Sequence, residues 1–458
     1  MPTPADELRA RTRGPVFEPG VPGYDDARSI WNGMIDRHPA LVLRCIGTAD
    51  VIAGIHFART HGLPLCVKGG GHNVAGLAVA EGALMLDMSA MRGVWVDPGV
   101  RLAHAQPGCL LSDVDQETQL HGLAAALGFV STTGVAGLTL GGGFGYLTRR
   151  LGWTCDTLES VQMVTADGRR VRASSTENPD LFWALRGGGG NFGVATGFTY
   201  RLYPLGPEIF GGALAWPIAE APRVLERFRE ITASAPPELA LVAVLRAAPP
   251  APWIAKEYHG KLVVMLLVCW TGPLAEGEGV VAPLRALGKL AGDVVQRRPW
   301  VSQQTLLDAA NPKGRRYYWK SEYLAGHPPE LLQAALGQIG SVPSPHSAVI
   351  FFPLGGAIAK LPADHSPMGN RDAVSLFNVA GSWERPEDDA KNIAWVRKSW
   401  ERLKPFSTGG TYINFQPEDE GDERIKAALG PHLERLQRVK TEWDPDNFFR
   451  ANKNIAPA

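Results

Sequence analysis

The sequence is poor in cysteine and carries no net charge. Its five cysteines are an odd number, are widely scattered and never form a C-x-x-C pair. Such spacing indicates neither a disulfide framework nor a zinc site, so we predict no metal and a reducing compartment. The 46 basic side chains balance 46 acidic ones, which gives no electrostatic reason to expect nucleic acid or an anionic membrane as a partner.

Long hydrophobic runs are also missing. No uninterrupted apolar span reaches membrane length, and the N-terminal residues lack the apolar core of a signal peptide, so we expect a cytoplasmic protein. There is no G-x-S-x-G elbow, Walker loop or H-E-x-x-H motif, which argues against the corresponding hydrolase, nucleotide and zinc chemistries. At 458 residues and 45% hydrophobic content, the chain is long enough for two or three domains.

What the sequence has is glycine, and the first glycine run follows a predicted strand, helix and strand. Residues 40–46 and 63–67 indicate buried strands, and residues 48–59 indicate an amphipathic helix with Thr48 as its N-cap. Three glycines then stand between Lys68 and His72. Successive N–H groups of such a run form a nest for a pyrophosphate, with Lys68 adding positive charge, so a dinucleotide cofactor is expected. The alternative is a tight turn followed by a solvated histidine.

Two further glycine-rich stretches occupy residues 128–146 and 186–194. The second contains a formal G-x-G-x-x-G at Gly188, Gly190 and Gly193. The nicotinamide fingerprint requires a strand before this motif and a helix after it, whereas the pattern here predicts the reverse order. We therefore reject a Rossmann dinucleotide fold and expect these stretches to place backbone against a flat ligand.

Beyond residue 204 the pattern changes to helices interleaved with longer strands. Residues 261–270, 347–354 and 373–380 indicate strands of an antiparallel sheet with helices on one face, which makes the fold class α+β. A C-terminal helix is predicted over residues 431–440. The acidic run 417–423 indicates a solvated loop without a role.

Five motifs in this order resemble the berberine-bridge-enzyme-like flavoproteins of the vanillyl-alcohol-oxidase family, which carry a PCMH-type FAD-binding domain. The motifs are residues 68–73, 134–145, 189–194, 412–414 and 444–449. The resemblance implies a two-lobed FAD-binding domain with an inserted antiparallel-sheet substrate domain. It places the FAD-binding domain at residues 1–205, the substrate domain at 206–410, and a C-terminal segment returning to the FAD domain at 411–458.

By the same resemblance, the cofactor is FAD, linked covalently through a ring nitrogen of His72 alone. Some relatives add a second link through a cysteine, at a position that holds Val130 here. The expected cofactor-binding residues are Lys68, Gly69, Gly70, Gly71, His72, Asn73, Thr133, Gly134, Gly137, Gly141, Gly142, Gly143, Gly145, Gly193, Val194, Asn414 and Asn452. Thr133 stands where the family controls oxygen access, and its small β-branched side chain favours an oxidase.

The expected function is oxidation of a small or medium organic substrate, such as an alcohol, sugar, phenol, alkaloid or polyketide, with O₂ reduced to H₂O₂. A monomer or homodimer is expected. The alternatives are a flavin dehydrogenase or an oxidative cyclase of secondary metabolism with another acceptor, and a non-catalytic protein that binds a flavin or another small molecule.

The expected catalytic residues are Tyr412, Lys320 and Tyr318. Tyr412 is the first choice as a base, with Lys320 as the cation that lowers its pKa, although an aromatic packed in a strand is the plain alternative. Some relatives continue the motif with a second tyrosine, where this chain has Phe415. Tyr317, Tyr318 and Lys320 could be structural or could face the substrate, and alternating residues of one strand cannot all face one pocket. Which of the four acts as base stays open.

Overall fold

The N-terminal part of the chain forms a small four-stranded sheet. The protein is described by a computed structural model that covers residues 3–458, without the side chain of Asp422. The elements are α1 (Pro4–Arg11), β1 (Val16–Phe17), α2 (Tyr24–Arg28), β2 (Leu41–Arg44), α3 (Thr48–Thr60), β3 (Leu65–Lys68) and β4 (Leu84–Asp87). The strand order is β1-β2-β4-β3, with β2 and β3 parallel to β4. The predicted strand, helix and strand are confirmed.

The start of α3 differs from the prediction. Gly47, not Thr48, precedes the helix as its N-cap, and no side chain caps the helix there. Instead the buried carboxylate of Asp50, in the first turn, accepts the backbone N–H of Ile46 and that of Arg13, each at 2.9 Å. A negative charge in the first helical turn also interacts favourably with the helix dipole.

The second sheet follows directly in sequence and is antiparallel throughout. The elements are β5 (Val94–Asp97), β6 (Leu102–Ala105), α4 (Leu111–Gln119), β7 (Leu123–Ala124), α5 (Val135–Leu140), α6 (Thr148–Leu151), β8 (Leu158–Val164), β9 (Arg170–Ser174), α7 (Pro179–Leu185), β10 (Val194–Arg201) and β11 (Tyr203–Pro204). Its order is β5-β6-β10-β8-β9, while β7 pairs with β11. Helix α7 precedes the third glycine run and β10 follows it, so the rejection of a Rossmann motif is confirmed.

The largest sheet has eight strands. The elements are β12 (Glu208–Pro217), α8 (Ala221–Ser234), β13 (Leu239–Ala247), β14 (Leu262–Trp270), α9 (Gly277–Arg285), β15 (Gly292–Asp293), β16 (Gln296–Pro299), α10 (Trp300–Gln304), β17 (Arg316–Leu324), α11 (Pro329–Ile339), β18 (Ala348–Pro353), β19 (Ser375–Trp383) and α12 (Asp389–Leu403). The order is β15-β12-β14-β13-β18-β19-β17, with β16 also on β12, and every pairing is antiparallel.

The two faces of this sheet have different neighbours, because side chains alternate along each strand. On β13, Leu241, Ala243 and Leu245 pack in one apolar core with residues of α8, α11 and α12. Val242 and Val244, between them, point to the opposite face and line a cavity. Helices therefore cover one face, as predicted, and the other face is left for a binding site.

The C-terminal residues carry α13 (Asp422–Leu429) and α14 (Leu433–Trp443), preceded by a 3₁₀ turn at Ile413–Phe415. Tyr412 lies at the start of that turn and not in a strand. Helix α14 contacts α7, so the end of the chain returns to its first half. The fold is α+β, as predicted. Within residues 3–458, no helix combines the length and the apolar character that crossing a membrane would take.

Candidate active site

A cavity of about 380 Å³ lies where the three glycine-rich loops, the open face of the large sheet and the C-terminal segment meet. Among its walls are the predicted cofactor residues Gly69, Gly70, Gly71, His72, Asn73, Thr133, Gly134, Gly137, Gly141, Gly193, Val194, Asn414 and Asn452. Residues distant in sequence by more than 300 positions are thus brought to one place. The size is within the range of small-molecule and cofactor sites.

Glycine is required where the first two loops touch. A Cβ atom on Gly70 would lie 2.5 Å from the Cα of Gly134, and a Cβ on Gly134 would collide with the backbone of Gly70. By contrast, a Cβ on Gly137 or Gly190 would meet no atom within 4 Å. These two glycines therefore border open space that a ligand can fill, while Gly70 and Gly134 join the loops into one wall.

His72 is held in this wall with a free ring nitrogen. Its Nε2 is buried and has no hydrogen-bond partner in the described residues. The imidazole stacks on Trp31 with ring centroids 4.2 Å apart, and Trp31 in turn stacks on Tyr317 at 3.6 Å. Burial lowers the pKa of His72 to about 4, so the ring is neutral near pH 7. A neutral imidazole with an unshared lone pair is a nucleophile, and the stacking on Trp31 fixes the orientation of the ring.

The C-terminal segment closes the third glycine loop through side chains that sequence analysis missed. The amide of Asn191 donates to Gly188 and to Lys453, and its oxygen accepts the N–H of Ile455. Lys440, fully buried, donates to the carbonyl of Asn191 at 2.7 Å. The sequence did carry a signal for this contact. Lys440 stands on the apolar side of α14, and a lysine is rarely buried without a partner.

Asn452 is a predicted cofactor residue that this segment delivers to the cavity. Its Nδ2 donates to Gly190 and Phe449, but its Oδ1 is buried without a partner in the described residues. An acceptor left unpaired in a cavity wall is suited to a donor on a ligand.

Lys68 does not occupy its predicted position. Its side chain points away from the cavity, where Nζ donates to Ala27 at 2.6 Å and lies 3.4 Å from the carboxylate of Asp87. Burial lowers the pKa of Lys68. The side chain at the end of β3 points to the face of the small sheet that α2 covers. Its positive charge therefore pairs with Asp87 of that sheet and is not directed at a pyrophosphate.

Gly142, Gly143 and Gly145 also lie outside the cavity wall, contrary to the prediction. A Cβ on Gly142 would overlap the Sδ of Met368, one on Gly143 would meet Thr154, and one on Gly145 would meet the carbonyl of Leu127. These glycines permit close packing behind the loop. A run of glycines in a sequence does not show whether the backbone there contacts a ligand or another part of the protein.

Tyr412 lines the cavity, and its hydroxyl oxygen is held by two hydrogen bonds from the protein. The phenol oxygen accepts the N–H of Gly143 at 3.0 Å and the Nδ2–H of Asn414 at 2.9 Å. Burial raises the pKa of Tyr412, and these two donors only partly oppose that effect. No cation contacts the phenol in the described residues. The geometry therefore weighs against Tyr412 as a base at neutral pH.

Lys320 and Tyr318, the other predicted catalytic residues, are not at the cavity. On β17 the side chains of Tyr317 and Trp319 line the cavity, and those of Tyr318 and Lys320 point to the opposite face. Lys320 pairs with Glu420 at 2.6 Å, and Tyr318 donates to Asp419 at 2.8 Å. The catalytic prediction for both is wrong, because the alternation of the strand places them behind the sheet.

The acidic run 417–423 is more than a solvated loop. Glu420 is buried between Lys320 and Arg424. Burial alone would raise the pKa of Glu420, but the hydrogen bonds and charges of these two cations together hold it below its usual value. The run therefore fastens the C-terminal segment to the back of the large sheet.

Comparison with known proteins gives the site its context. Residues 39–174 match the family described as an FAD binding domain, and residues 411–456 match the family described as berberine and berberine like. Both matches carry residues of the cavity wall. The chain therefore carries an FAD-binding domain and a berberine-like domain, and its relatives are FAD-linked oxidoreductases.

Relatives cover this FAD-linked oxidoreductase from end to end. It is 29% identical to (R)-6-hydroxynicotine oxidase of Paenarthrobacter nicotinovorans over 97% of each chain. It is 27% identical to the uncharacterized FAD-linked oxidoreductase YgaK of Bacillus subtilis over 98% of each. The crystal structure of 6-hydroxy-D-nicotine oxidase from Arthrobacter nicotinovorans superposes with a TM-score of 0.86 at 26% identity, covering 98% of both chains. Xylooligosaccharide oxidase of Myceliophthora thermophila shares the fold, with a TM-score of 0.86 at 22% identity.

The residues of the cavity fit the cofactor that the family implies. The unpaired nitrogen of His72 and the unpaired oxygen of Asn452 offer two directed contacts. Gly137 and Gly190 leave room for a ligand against the backbone. This oxidoreductase therefore has both an FAD-binding sequence domain and wall positions that suit a bound cofactor.

Proposed function

We propose that this protein is an FAD-linked oxidase in which a ring nitrogen of His72 is bonded covalently to the 8α-methyl carbon of the flavin. The observation that carries the proposal is the buried, neutral and unpartnered imidazole in a glycine-lined wall of an FAD-binding domain. Position 130 holds valine, so a single covalent link is proposed. When bound, FAD supplies the hydride acceptor for substrate oxidation and passes the electrons to O₂ to give H₂O₂.

The chain's own residues divide the remaining work. We propose that residues 1–205 and 411–458 hold the cofactor, and that residues 206–410 form the substrate wall. Trp319, Phe352 and Phe415 give that wall an apolar surface, suited to a small or medium organic substrate. The relatives named for nicotine and xylooligosaccharides show that such substrates differ widely. All five cysteines are free, which supports a reducing compartment, the cytoplasm.

Tyr412 is proposed to position the cofactor loop rather than to accept a proton. Its oxygen joins Gly143 to Asn414, whose amide also donates to Leu138 at 3.2 Å. We expect Tyr412→Phe to slow anaerobic flavin reduction by less than about tenfold, with an unchanged pH profile, because a general base contributes roughly 100-fold or more. Stopped-flow absorbance over a pH series measures both quantities. A hundred-fold loss would restore Tyr412 as the base.

The oxidase assignment is tested by reducing the flavin with substrate under anaerobic conditions and then admitting air. We expect rapid reoxidation with one H₂O₂ formed for each flavin. Slow reoxidation would instead favour the alternative of a dehydrogenase or oxidative cyclase that uses another acceptor. An inert protein that retains flavin would favour a binding protein.

Thr133 lines the cavity and supplies a matched pair of variants for this test. We expect Thr133→Leu to slow reoxidation by about tenfold or more, equivalent to about 1.4 kcal/mol of barrier, because the longer side chain blocks oxygen. Thr133→Val has nearly the same shape as the wild type and should reoxidise at its rate. Equal rates in both variants would remove Thr133 from oxygen access.

A further inference from the structure

The cavity contains a cation that no protein carboxylate neutralises. Arg246, near the end of β13, lines the cavity with its side chain. Its Nε donates to the carbonyl of Ala247 at 3.1 Å, and its two terminal nitrogens have no acceptor in the described residues. Burial, and then the charge of Arg315, lower the pKa of Arg246 to about 10, so it remains protonated at neutral pH.

The rest of the wall offers this cation no counter-charge. Among the described residues that line the cavity there is neither an aspartate nor a glutamate. Lys453 also borders the cavity, but its Nζ donates to Pro417 at 2.7 Å. His346 lies 3.1 Å from the carboxylate of Glu384, which is its own partner. Arg246 is partly buried, and a charge removed from water without a partner is costly, so this site favours binding of an anion.

The sheet leaves space beside the guanidinium group. Arg246 is in register with Ala348, Ala348 with Ala380, and Ala380 with Trp319. Three strand spacings separate Arg246 from Trp319, about 14 Å in all. The two alanines between them form a shallow floor, and Trp319 closes the far end beside Phe415, with ring centroids 5.1 Å apart.

Two unpaired polar atoms lie on the same face of the sheet. The Oδ1 of Asn378 and the Oγ of Ser382 are buried, and neither has a hydrogen-bond partner in the described residues. Both side chains line the cavity and are at most 5% exposed. Buried polar groups are normally paired, so these atoms indicate a ligand with polar groups of its own.

We propose that the substrate is an organic monocarboxylate with an aromatic-sized apolar body, whose carboxylate is bound by Arg246. This inference rests on the proposed function, since it names the substrate class of that same site. A guanidinium group presents two parallel N–H donors that match a carboxylate in a bidentate arrangement. One positive charge balances one negative charge, which favours a carboxylate over a phosphate dianion. Arg246 thus anchors one end of the substrate while the apolar body lies over the alanine floor.

The test titrates the purified flavoprotein with benzoate, phenylacetate and cinnamate, and with the corresponding neutral amides. Perturbation of the flavin absorbance and calorimetry report binding without turnover. We expect the wild type to prefer at least one acid over its amide. Arg246→Met should weaken binding of that acid by about 10- to 100-fold and leave the amide within about threefold, because a charge-assisted hydrogen bond is lost. Arg246→Lys should restore part of the affinity, and the exposed Arg297→Met should change nothing.

Wild-type protein that binds every acid and its amide equally, or binds none of them, would overturn the proposal. So would an Arg246→Met variant that loses acid and amide alike. A fall in flavin content in that variant would assign Arg246 to the cofactor and would also overturn it. Failure of the proposed function is distinguishable, because it shows as wild-type protein without flavin before any acid is added.

Discussion

Replacing His72 by alanine is expected to remove all covalently bound flavin from the protein. The variant lacks the unpaired imidazole of the described glycine-lined wall, whereas the loops that join at Gly70 and Gly134 should persist. We therefore expect acid-precipitated variant protein to be colourless, with any flavin in the supernatant. Turnover should fall by at least about tenfold, which corresponds to about 1.4 kcal/mol of barrier, because a freely held ring is less well positioned.

Two variants separate this effect from damage to the fold. His72→Asn keeps a polar side chain against Trp31, and it should also lack covalent flavin while unfolding at a temperature close to that of the wild type. His121→Ala changes an exposed histidine and should retain the wild-type colour in the pellet. Acid-stable flavin in His72→Ala would show that another residue carries the link.

Replacing Lys440 by methionine is expected to destabilise the protein by about 3–5 kcal/mol, because it leaves the carboxylate of Asp444 buried without its counter-charge. Both side chains are completely buried, with 2.6 Å between Nζ and Oδ2. Lys440 also donates to the carbonyl groups of Asn191 and Phe449. Because Asn191 organises the third glycine loop, flavin content should fall together with stability. Chemical denaturation and the flavin-to-protein absorbance ratio measure the two effects.

Lys289→Met is the matched control for this prediction. Lys289 lies 3.8 Å from Glu257, and both side chains are more than half exposed. Exposed ion pairs contribute between about 0 and 1 kcal/mol, so this variant should unfold like the wild type and keep its flavin. If Lys440→Met also behaved like the wild type, the pair would not hold the C-terminal segment in place.

Much of the order of strands and helices could be predicted from the sequence. The pattern of apolar residues changes near residue 204, where the glycine-rich part ends and the large antiparallel sheet begins. The glycine runs predicted loops against a ligand, and 13 of the 17 expected cofactor residues do border the cavity. Their arrangement around one wall came from the family resemblance. The backbone contact between Gly70 and Gly134 joins segments more than 60 residues apart, and no local pattern reports it.

Two of the three expected catalytic residues, Tyr318 and Lys320, lie away from the cavity for a simple geometric reason. Period-two alternation on β17 showed that Tyr317 and Tyr318 face opposite ways, but not which of them faces the cavity. The answer depends on Asp419 and Glu420, about 100 residues later, which pair with Tyr318 and Lys320 behind the sheet. Glu420 had been assigned to a solvated loop, since a charge run usually is one. Arg246 was missed because it is a single arginine in an apolar strand and belongs to no recognisable sequence motif.

The central claim is tested most directly by the mass of the intact, unfolded wild-type protein, followed by peptide mapping. We predict that the denatured chain is heavier than its sequence by one FAD, and that the peptide containing His72 carries the whole addition. A chain of unmodified mass, with all flavin released on unfolding, would contradict the account.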